Sequence, residues 1–212
     1  MAYACARSVG LTPQALRRAQ QITMNIPIHD ETTAPEATRE TLRTMREERG
    51  FITNLAGAMA SAPALLKGYL ELSSVFNETS FSVAERQVVL LTASRENLCH
   101  YCVAGHSTAA AASDVAQDVV DAIRDDTVIA DSKLEALRRF TSAIVESRGW
   151  PSADVIEQFL AAGYGEQQIL EVVLGVGVKT LSNYTNHLAD TPVNEQFAKN
   201  RWTPPVATDG EG

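Results

Sequence analysis

Apolar residues recur along this chain at intervals of three and four with almost no strict alternation, so the pattern predicts helices and no strands. Pro35 opens a charged segment over 36–48 with apolar positions at Leu42 and Met45, and Gly50 ends it. Thr53 opens a short helix. A longer one follows over 62–76, with Leu65, Leu66, Tyr69, Leu70, Leu72, Val75 and Phe76 in helical period. Ser82 and Glu85 form a capping-box pattern for the next helix. Its run Val88, Val89, Leu90, Leu91 and Ala93 is apolar on nearly every side, which predicts a central helix. A new helix starts near Asn97 or Cys99. Ser113 or Asp114 then caps a helix over 115–124, another spans 133–147 until Gly149-Trp150-Pro151, and Ser152 caps one over 155–162. The last covers 166–189 ahead of Pro192, with Ile169, Leu170, Val172, Val173, Leu174, Val176 and Val178 in its pattern. The expected fold is all-α, multi-helical and single-domain.

Residues 1–23, with an isolated Cys5, read as an N-terminal tail or extension; 24–200 is the helical domain, and 201–212 a tail rich in Pro and Gly. The 212 residues are 45% hydrophobic, enough for a sizeable core, and only 6% aromatic, which favours helices over sheets. A net charge of -8 argues against nucleic acid or an anionic membrane as partner. Three cysteines do not make a disulfide scaffold, and no leader with an apolar core precedes the domain, so a cytoplasmic protein is expected.

In a reducing compartment a C-x-x-C pair points to chemistry, and one stands at Cys99-His100-Tyr101-Cys102, with His106 four residues further on. If Cys99 opens a helix, Cys99, Cys102 and His106 share one face. The unpaired N–H groups and positive dipole at a helix start favour a thiolate. His106 can take the proton or steady the charge. The pattern thus supplies an activated nucleophile and a resolving thiol. A c-type haem is excluded, because Val103 stands where its histidine must be. Zinc stays open: Cys99, Cys102 and His106 supply three ligands, with water or His187 as a fourth, though no second C-x-x-C or H-x-x-x-H closes a structural site. Two small buried residues and a surface histidine are the plain alternative. Gly175-Val176-Gly177 lacks a third glycine and a preceding strand, so close helix packing explains it better than a dinucleotide.

The run Ser82 to Leu91, followed by Ser94-Arg95-Glu96-Asn97-Leu98-Cys99-His100-Tyr101-Cys102-Val103-Ala104-Gly105-His106, resembles the alkylhydroperoxidase D-like proteins of the carboxymuconolactone decarboxylase superfamily. A second block, Gly177 to Asp190, resembles the C-terminal helix of uncharacterised members. The resemblance implies an oligomeric all-helical fold and a thiol peroxidase that needs no cofactor. By position, Cys102 is the peroxidatic cysteine, His106 its base and Cys99 the resolving partner. The substrate would be a hydroperoxide, and the electron donor a lipoyl or thioredoxin-like dithiol protein. The family's relay glutamate falls at Gln87, which cannot shuttle a proton as a carboxylate does. Either Glu85 or Glu96 would replace it, or the relay is absent and the peroxidase is a poor one. Tyr101 stands where the best-known members have a histidine. His187, Asn183 and Asn186 would line the pocket or simply satisfy one another, and His100 points away from the 99/102/106 face. Two further readings stay open: a carboxymuconolactone decarboxylase-like enzyme, and a redox- or zinc-responsive binding protein without turnover.

Overall fold

The computed structural model describes residues 24–205; the expectations for 1–23, Cys5 included, and for 206–212 lie outside the described residues. Helices and no strands occur among them: α1 Glu36–Arg49, α2 Asn54–Met59, α3 Pro63–Asn77, α4 Val83–Glu96, α5 His100–Ala112, α6 Gln117–Asp125, α7 Ser132–Ser147, α8 Ala153–Ala161 and α9 Glu166–Ala189. A 3-10 helix, Glu195–Asn200, follows. None of the helices among the described residues is long and apolar enough to cross a membrane.

Local chemistry sets most of the ends. Gly50 takes a left-handed φ of 79° and returns its N–H to Arg46 O at 2.8 Å, closing α1. At the start of α4, Glu85 N donates to Ser82 Oγ at 3.2 Å while Ser82 N donates to Glu85 Oε2 at 2.8 Å. This reciprocal cap contributes about 1 kcal/mol. The start of α6 differs from the expected cap at Ser113 or Asp114. Val115 N bonds back to Ala110 O at 3.1 Å, so those residues close α5 instead, and Asp114 turns left-handed at φ 54°. Ser152 stands at the N-cap of α8 but makes no capping bond.

As its all-round apolar run predicts, α4 is central and packs against α5, α6, α7 and α9. Two clusters form the interior. The larger gathers Val88, Val89 and Leu91 of α4 with Phe76, Phe140, Phe159 and Val172. The smaller joins Leu42, Met45, Leu55, Met59 and Leu66 of α1–α3 to Cys99, Tyr101 and Cys102.

In α9 the buried stripe is Val172, Gly175, Val178, Lys179, Ser182, Asn183 and Asn186, turning from apolar to polar along the helix. Leu170 and Val173, which the sequence pattern groups with the core, are 70% and 51% exposed. Gly175 lets α9 approach α3 and α4: a Cβ there would lie 2.7 Å from Val89 Cγ1 and 2.8 Å from Phe76 Cε2. At Gly177 a Cβ meets nothing within 4 Å, so only the first of the two glycines serves close packing.

Candidate active site

Between α4 and α5 the chain must end one helix and begin another almost at once. Leu98 does this in a left-handed conformation, φ 56°, with its N–H on Arg95 O and that of Cys99 on Ser94 O. The strain, of order 1 kcal/mol or more for a residue with a Cβ, places Cys99 in extended backbone as the N-cap of α5. Cys102 lies in the first turn, where the helix dipole favours an anion. Both are free thiols, 0% and 3% exposed.

The polar end of the α9 stripe closes over Cys102. Asn186 Nδ2 donates to its sulfur at 3.2 Å, and Ser182 Oγ lies 3.8 Å away. Burial alone would push the Cys102 thiol up. The hydrogen bond from the Cys99 thiol, the positive charge of Lys179 and the Ser182 hydroxyl outweigh it and hold Cys102 well below its ordinary value. Giving that hydrogen bond, with burial adding to it, pushes Cys99 up. The shared hydrogen bond thus drives the two sulfurs apart, Cys102 toward the thiolate and Cys99 toward the thiol.

Lys179 is 1% exposed, and its Nζ lies 2.8 Å from His106 Nε2. Burial first, and the charge of Lys179 second, depress His106 well below the usual histidine range, so its ring is neutral. With the Lys179 amine donating to Nε2, the ring proton sits on Nδ1 and goes to Gln87 Oε1 at 3.2 Å. Gln87 therefore fixes the tautomer of His106, a role that needs no titration. His106 meets Lys179 directly, and the charge of Lys179 is felt by both the imidazole and the thiolate.

Neither carboxylate joins this group. Glu85 is held by its cap, by Tyr164 Oη at 3.0 Å and by Lys133 Nζ at 3.2 Å. It sits near the start of α4, roughly 16 Å of helix rise before Glu96, where α4 ends and the chain turns to Cys99. Glu96 lies against Arg95 at 3.4 Å; burial raises its carboxyl, with Arg95 and Ser142 opposing. Neither lines the cavity above Cys102. Among the described residues, no three His, Cys, Asp or Glu side chains converge to hold a metal ion. Asn183, buried, accepts from Asn97 Nδ2 at 2.9 Å and so ties α9 to the end of α4.

That cavity holds about 260 Å³. Cys102, His106 and Lys179 line its buried part, Tyr69, Tyr101 and Phe197 its walls, and Arg49 and Phe51 its outer edge. Phe197 comes from the 3-10 helix, a segment to which the sequence assigns no element. It sits edge-on to Tyr101 and to Phe51, 5.9 Å from each, and over Gly105. Asn194 Oδ1 accepts from Tyr101 Oη at 2.6 Å and from Asn54 N at 2.9 Å. Arg124 holds the carbonyls of Asn200 and Arg201, and Trp202 Nε1 donates to Arg124 O.

Lys179, Ser182 and Phe197 are absent from the sequence-derived site. Lys179 leaves one trace: at helical spacing it falls on the stripe of Val172, Gly175 and Val178, where a lysine is out of place without a partner.

No protein-family model matches the chain, and no curated protein matches it. Solved structures do. A peroxidase-related protein from Ralstonia eutropha JMP134 with an alkylhydroperoxidase AhpD core superposes with a TM-score of 0.73 at 16% identity, covering 82% of this chain and 93% of that one. A peroxidase-related protein from Silicibacter sp. TM1040 gives 0.71 at 16% identity, over 84% and 94%. The debrominase Bmp8, as a cysteine-to-alanine variant in complex with 2,3,4-tribromopyrrole, also gives 0.71 at 16% identity, over 85% and 97%. The fold of this chain is the alkylhydroperoxidase D-like fold.

Proposed function

We propose that the chain is a dithiol peroxidase that reduces a small organic hydroperoxide at Cys102 and resolves the product with Cys99. The observation that carries this reading is the split pair. A thiolate held by Cys99, Lys179 and Asn186 faces an apolar cavity, and a protonated thiol stands beside it. The Cys102 thiolate attacks the distal peroxide oxygen and the O–O bond breaks. The leaving alkoxide takes a proton from the Lys179 ammonium and departs as the alcohol. Cys99 then attacks the sulfenic sulfur, and the hydroxide leaves as water with the Cys99 proton. A lipoyl or thioredoxin-like dithiol supplies two electrons and two protons. They restore the Cys99 thiol and Cys102 thiolate, and the second proton returns to Lys179. His106, neutral and oriented by Gln87, keeps Lys179 pointed at the reacting centre.

The test is a free-thiol count on reduced, denatured protein before and after about one equivalent of cumene hydroperoxide. The expected fall is from three thiols to one, with the new bond mapped to Cys99–Cys102, and Cys102→Ser abolishes turnover. Three surviving thiols would refute the reading.

A second reading uses the same two electrons on a carbon–halogen bond. The ring-lined cavity and the likeness to Bmp8 favour it. Thiolate capture of the halogen, protonation of the carbon and displacement of halide by Cys99 would give the same disulfide. Bromide release from 2,3,4-tribromopyrrole by the reduced protein distinguishes the two.

A further inference from the structure

We propose that the cavity above Cys102 takes a small organic anion, an apolar body bearing one carboxylate, and that Arg49 selects it. The proposal deepens the dithiol reading and rests on it for the chemistry that follows binding.

The argument starts from charge. The chain carries 26 acidic residues against 18 Lys and Arg, yet no Asp or Glu lines this cavity. Besides Cys102, its charged side chains are two cations, Lys179 inside and Arg49 at the exposed edge. The charge of Lys179 is answered within the protein, because it acts on the Cys102 thiolate. Arg49 forms no ion pair among the described residues, although its neighbour Arg46 pairs with Glu31 at 2.7 Å. Both Arg49 and the partly buried Tyr69 line the cavity. A cleft with low-dielectric walls and a surplus cation concentrates anions from solution. A guanidinium also matches a carboxylate through two parallel hydrogen bonds.

Shape limits the rest of the ligand. His106 aside, most of the remaining lining is apolar or aromatic, led by Leu55, Leu70 and the rings of Phe51, Tyr69, Tyr101 and Phe197, with Thr53 and Ser73 the polar exceptions. The volume falls just below the range of roughly 300–1,000 Å³ that accommodates drug-sized molecules. A single ring or a short chain fits, and a lipid-sized molecule does not. The reacting group then lies toward Cys102 with the carboxylate at Arg49. Two further hollows, one beside His29 and Asn194 and one on the far side of Arg49 beside Glu40 and Glu48, contain no cysteine.

Isothermal titration of the reduced protein with 3-phenylpropanoate and with its neutral isostere 3-phenylpropanamide tests this without any turnover. The expected result is carboxylate binding at least about tenfold tighter than the amide, a preference that Arg49→Met removes. Equal binding of the two, no binding of either, or a preference that survives Arg49→Met overturns the proposal. Arg49 is exposed, so its replacement does not threaten the fold. Cumene hydroperoxide reduction, measured on the same wild-type sample, separates the two claims. An anion preference without peroxide reduction leaves the binding assignment and removes the peroxidase. Peroxide reduction without the preference does the reverse.

Discussion

The neutral imidazole of His106 makes stability depend on pH in a way that can be calculated. In the unfolded chain His106 takes up a proton near its ordinary value of 6.5; in the fold, burial and the charge of Lys179 hold it well below that. Between the two values the unfolded state binds more protons, so stability rises with pH. The contribution is complete above about pH 7 and is lost as pH falls through 6.5 toward the depressed folded value. One unit below 6.5 the loss is about 1.4 kcal/mol, and each further unit removes about 1.4 kcal/mol more until the folded group titrates. At 2–4 °C per kcal/mol for a chain of this size, that is a fall in Tm of about 3–6 °C from pH 7.5 to 5.5. Thermal melts followed by circular dichroism at half-unit pH steps, on wild type and His106→Gln, measure it. Glutamine can still accept from Lys179 and reach Gln87 but cannot take a proton, so the variant should lose this part of the slope whatever its absolute Tm. An equal slope in both proteins would refute the assignment of a neutral His106 locked between Gln87 and Lys179.

The two glycines of α9 should respond to alanine differently. Gly177→Ala gains about 1 kcal/mol of helix propensity with open space around the new methyl, raising Tm by about 2–4 °C. Gly175→Ala gains the same propensity but meets Val89 and Phe76 below 3.0 Å, an overpacking cost of about 1–3 kcal/mol, so it should be neutral to about 2 kcal/mol destabilising. Equal Tm shifts in the two variants would contradict the close approach of α9 to α3 and α4. Tyr101→Phe removes the donor to Asn194 and the acceptor for Leu55 N, at 2.6 and 3.2 Å. The orphaned buried N–H should cost about 1–3 kcal/mol by urea denaturation, and an unchanged midpoint would show that the clasp between α2, α5 and the 3-10 helix contributes nothing.

Local signals in the sequence determine the elements. The capping box at Ser82 and Glu85, Gly50 after α1, Thr53 before α2, and the three-and-four spacing of Leu, Val and Phe act within one or two turns, so they are legible without knowing what packs where. The C-x-x-C pair with its histidine is local in the same sense, and it marks where the chemistry sits. Tertiary structure decides what surrounds it. Ser94, Arg95 and Leu98 stack α4 against α5 tightly enough that Gln87, twelve residues before Cys99, meets His106 across the helix pair. Glu85, two residues earlier, is turned to Tyr164 and Lys133 instead. Lys179, Ser182 and Asn186 lie 77 or more positions from Cys102 and reach it only because Gly175 admits α9 to the core. Phe197 arrives from a segment with no helical period of its own, fastened by Asn194 and Arg124. A nucleophile can be read from residues three apart, but the charges that set its protonation state act through space, and packing alone brings them there.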